Sequence, residues 1–238
     1  MAMIPLLLAP LLLAAQIAAV PTEPACPTSD AAGKGDWANL CRYAADNARL
    51  KALPDADRQI VFLGDSITES WQAAGPDLFA RGWIDRGISG QTSPQILLRF
   101  QADVAALRPR LVHIMAGTND IAGNTGPATL DSIEDNITAM VRLAKAAGIR
   151  VVLAATPPSV QFAWKPELKP GPRIAALNAR LKAMAGREKV VFVDYAEVLA
   201  EPDGAMKADM TFDGTHPDAK GYAAMAPLTR AAIAAALR

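Results

Sequence analysis

Short apolar runs alternate along this chain with segments whose apolar residues recur every three or four positions. The runs at 60–63, 111–115, 150–155 and 190–193 are short, apolar and rich in β-branched residues, and 83–88 is a weaker fifth. They predict five buried strands. Between them, Leu97, Phe100, Val104 and Leu107 mark one helical face, opened by Ser93-Pro94 and stopped at Pro109. Leu130, Ile133, Ile137, Val141 and Ala144 mark a second helix, ended by Gly148, and Ile174, Leu177, Leu181 and Met184 mark a third. Residues 36–53 and the Ala-rich stretch 221–237 read as the first and last helices. No internal repeat interrupts the alternation, which predicts an α/β fold with a five-stranded parallel sheet covered on both faces. In such sheets ligands bind beyond the carboxyl ends of the strands. Ser66, Gly90 and Asn119 follow the first, second and third strands, and His216 lies in the loop after the fifth. The fold is therefore expected to gather on one edge what the sequence scatters.

At 238 residues and 51% hydrophobic composition the chain can bury a sizeable core, most simply in one domain. Its 24 basic and 24 acidic residues cancel, which leaves no electrostatic footprint for nucleic acid. Residues 1–22 carry no charged side chain, and the leucines at 6–8 and 11–13 precede the small pair Ala18-Ala19. This reads as a secretory leader over 1–19, an N-terminal extension over 20–58 and the main domain over 59–238, with an exported, periplasmic or secreted product that keeps no stable membrane insertion. No Lys or Arg precedes the apolar stretch, and Pro5 and Pro10 interrupt it. An uncleaved membrane anchor is the competing reading. Cys26 and Cys41 are the only cysteines. In an oxidising compartment they are expected to pair, the other reading being two unrelated thiols. Glu23-Pro24-Ala25 before Cys26 gives no lipidation signal.

Ser66 sits on the turn after the first strand, in Gly64-Asp65-Ser66-Ile67-Thr68. It is a candidate nucleophile at a strand-to-helix turn, against the ordinary role of a helix-capping serine. The string is not the G-x-S-x-G elbow of α/β-hydrolases. There are two histidines. His216 follows Asp213 by three residues, a spacing that lets a carboxylate hold one ring nitrogen and leave the other for a serine. His113 lies inside the apolar run 111–115 and reads as a core histidine. The side-chain amide of Asn119 and the backbone N–H of Gly90 are candidate oxyanion donors, against turn roles for both. Asp65 and Asp120 read mainly as loop organisers, with Asp65 second in line as a functional acid and Asp120 weighed as the alternative acid of the triad. No metal-ligand cluster and no phosphate loop occurs, so no cofactor is expected.

Four blocks together carry a family resemblance: Gly64-Asp65-Ser66-Ile67-Thr68, Gly90 within Gly87-Ile88-Ser89-Gly90-Gln91-Thr92, Gly117-Thr118-Asn119-Asp120, and Asp213-Gly214-Thr215-His216-Pro217. In this order they resemble the SGNH hydrolases, the GDSL-type lipases and esterases, from about residue 59 to the C-terminus. Within that superfamily the chain is most similar to bacterial relatives of the catalytic subunits of platelet-activating-factor acetylhydrolase. The resemblance implies a flavodoxin-like three-layer α/β/α sandwich. It implies Ser66 as nucleophile, His216 as base and Asp213 as orienting acid. It also implies an oxyanion hole of the Ser66 and Gly90 N–H groups with the Asn119 side chain, and no metal or organic cofactor.

The segment 157–172 holds five prolines with Phe162 and Trp164 and follows the fourth strand, so it either walls the site or merely connects. Trp71, shortly after Ser66, faces either the acyl pocket or the core. The leading expectation is an exported esterase that removes short acyl groups, with a small-molecule ester, such as an acetylated carbohydrate, as its partner. A lysophospholipase or thioesterase is the alternative, and a non-catalytic binding module is the alternative from another class.

Overall fold

The computed structural model describes Cys26, residues 35–79 and residues 82–238. The expected leader over 1–19 lies outside the described residues. In chain order the elements are α1 (Ala44–Lys51), β1 (Ile60–Gly64), α2 (Ser66–Ala74), β2 (Trp83–Gly87), α3 (Ser93–Asp103), β3 (Leu111–Met115), α4 (Thr118–Ala122), α5 (Leu130–Ala146), β4 (Arg150–Ala154), α6 (Gly171–Glu188), β5 (Val191–Val193), α7 (Ala196–Leu199) and α8 (Ala219–Ala236). The five strands form one sheet in the order β2-β1-β3-β4-β5, and every pairing is parallel. Strand β1, flanked by β2 and the central β3, pairs Gly64 with Gly87 on one side and with Met115 on the other, so three strands end level with one another.

Alternate residues of each strand enter opposite cores, as the two-residue period of a strand requires. Val61, Leu63, Val112, Ile114, Val151 and Leu153 pack with α3, α5 and α6, and Leu50 of α1 joins them. Phe62, Leu111, Met115, Val152 and Ala154 pack with α2, α7 and α8. The result is a three-layer α/β/α sandwich. Burial of β1 and β3 on both faces explains why they read as unbroken apolar runs.

The first helix differs from expectation. Asp36 accepts hydrogen bonds from the Leu40 and Cys41 N–H groups at 2.8 and 2.9 Å, and Asn39 takes a left-handed φ of 52°. These turns occupy 36–43, so the regular helix begins only at Ala44 rather than running over 36–53. Cys41 in this segment is bonded to Cys26, with their Cα atoms 5.3 Å apart.

A buried polar network fastens this N-terminal segment to the sheet. Arg99 of α3 is fully buried. Its Nε donates to Gln91 Oε1 at 2.6 Å, while its guanidinium also reaches Asp103 at 3.0 Å and the Gly64 carbonyl at 2.7 Å. Asn47 of α1 donates to the same Asp103 at 2.6 Å, and Gln91 Nε2 donates to the Ala38 carbonyl at 2.8 Å. A buried guanidinium is tolerated because each of these acceptors offsets its desolvation. Gly64 ends β1 where a side chain has no room: a Cβ there would lie 2.1 Å from Thr68 Oγ1 and 2.6 Å from the Met115 carbonyl. That close approach brings α2 down onto the strand ends and sets the position of Ser66.

Candidate active site

Ser66 is the first residue of α2, and the cap of that helix is its neighbour. Asp65 Oδ1 accepts from the Ile67 N–H at 3.0 Å. The Ser66 hydroxyl is therefore not consumed in capping. It lies 2.9 Å from His216 Nε2, across 150 residues of sequence. His216 Nδ1 lies 2.7 Å from Asp213 Oδ2. The other carboxylate oxygen of Asp213 accepts from the backbone N–H groups of Thr215 at 2.9 Å and His216 at 2.8 Å. One carboxylate thus organises both the loop and the ring. Burial pushes the Asp213 carboxyl up, but the hydrogen bonds from His216 and Thr215 outweigh it and hold it below the usual range. Thr211 Oγ1 closes the loop by donating to the His216 carbonyl at 2.6 Å. A hydroxyl, an imidazole and a carboxylate in this order can generate a serine nucleophile.

The rivals lie elsewhere. His113 is fully buried, with Nε2 2.8 Å from the Tyr195 hydroxyl, which in turn lies 2.7 Å from Thr229 Oγ1. Burial lowers the pKa of its ring to about 3, so it stays neutral in the core. Asp120 accepts from the Ser93 N–H at 2.9 Å and from the Ser93 hydroxyl at 2.6 Å, and so ties α4 to the start of α3. Burial raises its pKa, against the pull of those Ser93 bonds. Asp65, the residue before Ser66, is buried. Burial raises its pKa to about 6, opposed by the Ile67 N–H and the nearby His216 and reinforced by the charge of Asp120.

The expected oxyanion donors reach the same edge. Gly90 lies on the turn 88–91, exposed at Ser89 and Gly90 and anchored by buried Ile88 and Gln91, and closed by the Gln91 N–H donating to the Ile88 carbonyl at 3.3 Å. Its φ of 77° is the left-handed value that glycine supplies at the third position of a type II turn. Glu69 of α2 holds the turn by accepting from both the N–H (2.8 Å) and the hydroxyl of Ser89, and Arg42 binds its other oxygen at 3.0 Å. Asn119 is buried in α4. Its Nδ2 donates to the Gln91 carbonyl at 3.0 Å and reaches Asp65 Oδ2 at 3.3 Å, and its Oδ1 accepts from Asn124 at 2.8 Å. The amide is at the strand edge with both of its hydrogens engaged, the second only loosely.

Trp71 corrects the expectation of a substrate contact. It is fully buried, stacked on Tyr222 at 5.3 Å and edge-on to Phe62 at 6.0 Å. At its place in α2 it faces the sheet and α8, away from the open edge. Phe162 is fully buried as well, and serves as the backing for Trp164, whose ring stacks on it at 4.8 Å. Trp164 is partly exposed, 5.8 Å from the His216 ring. A residue not anticipated from the sequence completes this wall. Phe212 is 71% exposed and lies nearly parallel to the His216 ring at 5.5 Å. Its only signal was an aromatic residue in a loop directly before Asp213. Glu69 and Asn124 were likewise not anticipated, because single polar residues off the motifs carry no periodic signal, and Gln91, although inside the second block, was given no role of its own. Among the described residues, no group of His, Cys, Asp and Glu side chains could hold a metal ion.

The model of the GDSL-like Lipase/Acylhydrolase family matches residues 62–224. Esterase TesA of Pseudomonas aeruginosa is 31% identical over 182 residues, covering 68% of this chain and 81% of that protein. A GDSL-like lipase from Bacteroides thetaiotaomicron is 44% identical with a TM-score of 0.80, covering 84% of this chain and 99% of the other. A structure from Bacteroides fragilis is 47% identical with a TM-score of 0.81, covering 85% and 99%. The chain belongs to the GDSL-like lipase and acylhydrolase family of the SGNH superfamily, and is a carboxylic ester hydrolase.

Proposed function

We propose that the protein hydrolyses short-chain, chiefly acetyl, esters through a Ser66-His216-Asp213 triad and an acyl-enzyme. The observation that carries this reading is the continuous relay from Asp213 Oδ2 through the His216 ring to Ser66 Oγ, at 2.7 and 2.9 Å. His216 Nε2 takes the Ser66 proton as Oγ attacks the ester carbonyl. The ester C–O bond then breaks, and the alcohol leaves with that proton. Water attacks the acyl-enzyme, gives a proton to His216, and releases the acid and the free Ser66 hydroxyl. The Ser66 and Gly90 N–H groups and Asn119 Nδ2 hold the oxyanion. The long 3.3 Å contact from Asn119 to Asp65 is the one it displaces.

The preference for short acyl groups draws on the balanced charge and the 5% aromatic content of the chain, which do not suit a broad lipid-binding surface. The alternative is a longer-chain lysophospholipase or thioesterase. The deciding assay is hydrolysis of p-nitrophenyl esters from acetyl to dodecanoyl by the protein and by Ser66→Ala. Activity that peaks at acetyl and vanishes in the variant supports the proposal. A peak at long chains selects the alternative, and equal activity in Ser66→Ala removes Ser66 as nucleophile.

Export to an oxidising compartment is part of the same proposal. It draws on the uncharged apolar stretch 1–22 and on the bond between Cys26 and Cys41. Among the described residues no helix is long and apolar enough to cross a membrane.

A further inference from the structure

The imidazole that must protonate the leaving alcohol is bordered by two aromatic rings that water can reach. Phe212 is 71% exposed and 39% of Trp164 is exposed, yet both lie within 6 Å of the His216 ring, at centroid distances of 5.5 and 5.8 Å. Single exposed apolar residues are ordinary on a protein surface; two that share one catalytic histidine form a site. Stability does not require Phe212 there, since most of its surface stays in water.

The position of these rings relative to the reaction decides which half of an ester they meet. In the tetrahedral intermediate the carbonyl oxygen points to Asn119 and Gly90. The alcohol oxygen must lie within hydrogen-bond reach of His216 Nε2 to receive its proton. Side chains packed on the imidazole therefore border the alcohol half. The geometry points to Phe212 and Trp164 as a stacking platform for a ring-shaped alcohol, the pyranose ring of an acetylated sugar, which selects the leaving group. This rests on the triad reading and extends it from the acyl group to the alcohol.

The platform is built rather than incidental. Trp164 lies at 15° to the buried Phe162 ring, which fixes its tilt. Lys165, the next residue, donates its Nζ to the Ala122 carbonyl at 2.6 Å, at the end of the helix that carries Asn119. On the other side, Thr215 Oγ1 donates to the Gln161 carbonyl at 3.0 Å and lies 3.0 Å from Ser159 Oγ. The loop bearing Trp164 is thus fastened both to the oxyanion side and to the residue before His216. A surface held in place before binding loses little conformational entropy when a ligand stacks on it. Its openness suits a sugar that is part of a larger chain, because nothing in the 71% exposure of Phe212 encloses the far side. Flat apolar ring faces gain from such stacking, and a flexible acyclic alcohol gains less.

The test compares two acetyl esters that differ only in the alcohol: a peracetylated methyl xyloside and glycerol triacetate. The readout is the ratio of their kcat/KM values for the protein, for Phe212→Ala, Trp164→Ala and the double variant, and for Phe212→Tyr and Trp164→Phe as conservative controls. Thermal melts confirm that each variant is folded. The protein should prefer the sugar ester. The double variant should lose that preference by about tenfold or more, mainly through KM, and the conservative variants should keep most of it. An unchanged ratio in the double variant, or equal loss on both esters, overturns the platform. So does a variant that alters acyl-length preference instead, which would assign the rings to the acyl half. Failure of the triad reading is separate and visible, since it leaves neither ester hydrolysed, or both hydrolysed equally well by Ser66→Ala.

Discussion

Replacing Asp213 by Asn isolates the part played by its charge. The carboxylate accepts three hydrogen bonds: from the Thr215 N–H at 2.9 Å, the His216 N–H at 2.8 Å and His216 Nδ1 at 2.7 Å. An Asn carbonyl oxygen can keep the two backbone bonds, so the loop holds its shape. Its NH2 group then faces Nδ1, and two donors cannot share that contact. The ring must move its proton to Nε2, where it can no longer accept from Ser66 at 2.9 Å. Loss of the charge-assisted bond alone is worth about 1.5–3 kcal/mol, or roughly ten- to a hundredfold in rate. With the wrong tautomer added, the expected fall in kcat is about 10³–10⁴-fold. Asp120→Asn is the contrast. Asp120 accepts from the Ser93 N–H and hydroxyl and touches neither ring nor nucleophile, so its loss should appear as about 1–3 kcal/mol of stability. Steady-state kinetics on p-nitrophenyl acetate, paired with thermal melts, separate the two. The reasoning is refuted if Asp120→Asn cuts kcat as deeply as Asp213→Asn, or if Asp213→Asn costs less than about tenfold.

Further expectations follow from the surrounding network. Glu69→Ala removes the acceptor of the Ser89 N–H and hydroxyl, so the Gly90 turn loses its support. The expected result is a fall of about ten- to a hundredfold in kcat with a smaller change in KM, partly restored by Glu69→Gln, whose amide oxygen still accepts. Asp85 in β2 is buried with one carboxylate oxygen unpartnered, and burial raises its pKa to about 7, opposed by the Gly87 N–H and reinforced by Glu69. The folded protein therefore holds this proton to higher pH than the unfolded chain does. The stability it confers is complete below about pH 4 and is lost as pH rises through about 7. Chemical denaturation from pH 4 to 8 should show Asp85→Asn gaining on the original protein as pH rises, by at most about 4 kcal/mol. A pH-independent difference would remove Asp85 as a titrating group.

The sheet was legible because burial on both faces writes strands as unbroken apolar runs, and β3 occupies the very residues, 111–115, that its run marks. Long amphipathic helices such as α5 were equally plain. The five-residue α4 was not, since it is too short to show a period, although it carries Asn119. The first helix was overextended because the side-chain cap from Asp36 and the left-handed Asn39 leave no trace in hydrophobic spacing. At the site, the sequence placed Ser66, His216 and Asp213 on one edge but left open whether Ser66 was merely a cap. The answer lay one residue earlier, in Asp65. Trp71 could be assigned to either face of α2 until Tyr222, from the far end of the chain, was found against it. Phe212 stayed hidden because stacking on His216 depends on a loop conformation and on no pattern of residues.

The measurement that tests the central claim most directly is capture of the acyl-enzyme. The protein is mixed with p-nitrophenyl acetate, quenched in acid during the first turnovers, digested and analysed by mass spectrometry. The account predicts one acetyl group on the peptide containing Ser66, with a matching burst of p-nitrophenol, and neither in Ser66→Ala. An acetyl group on a different residue, or turnover that continues in Ser66→Ala, would contradict it.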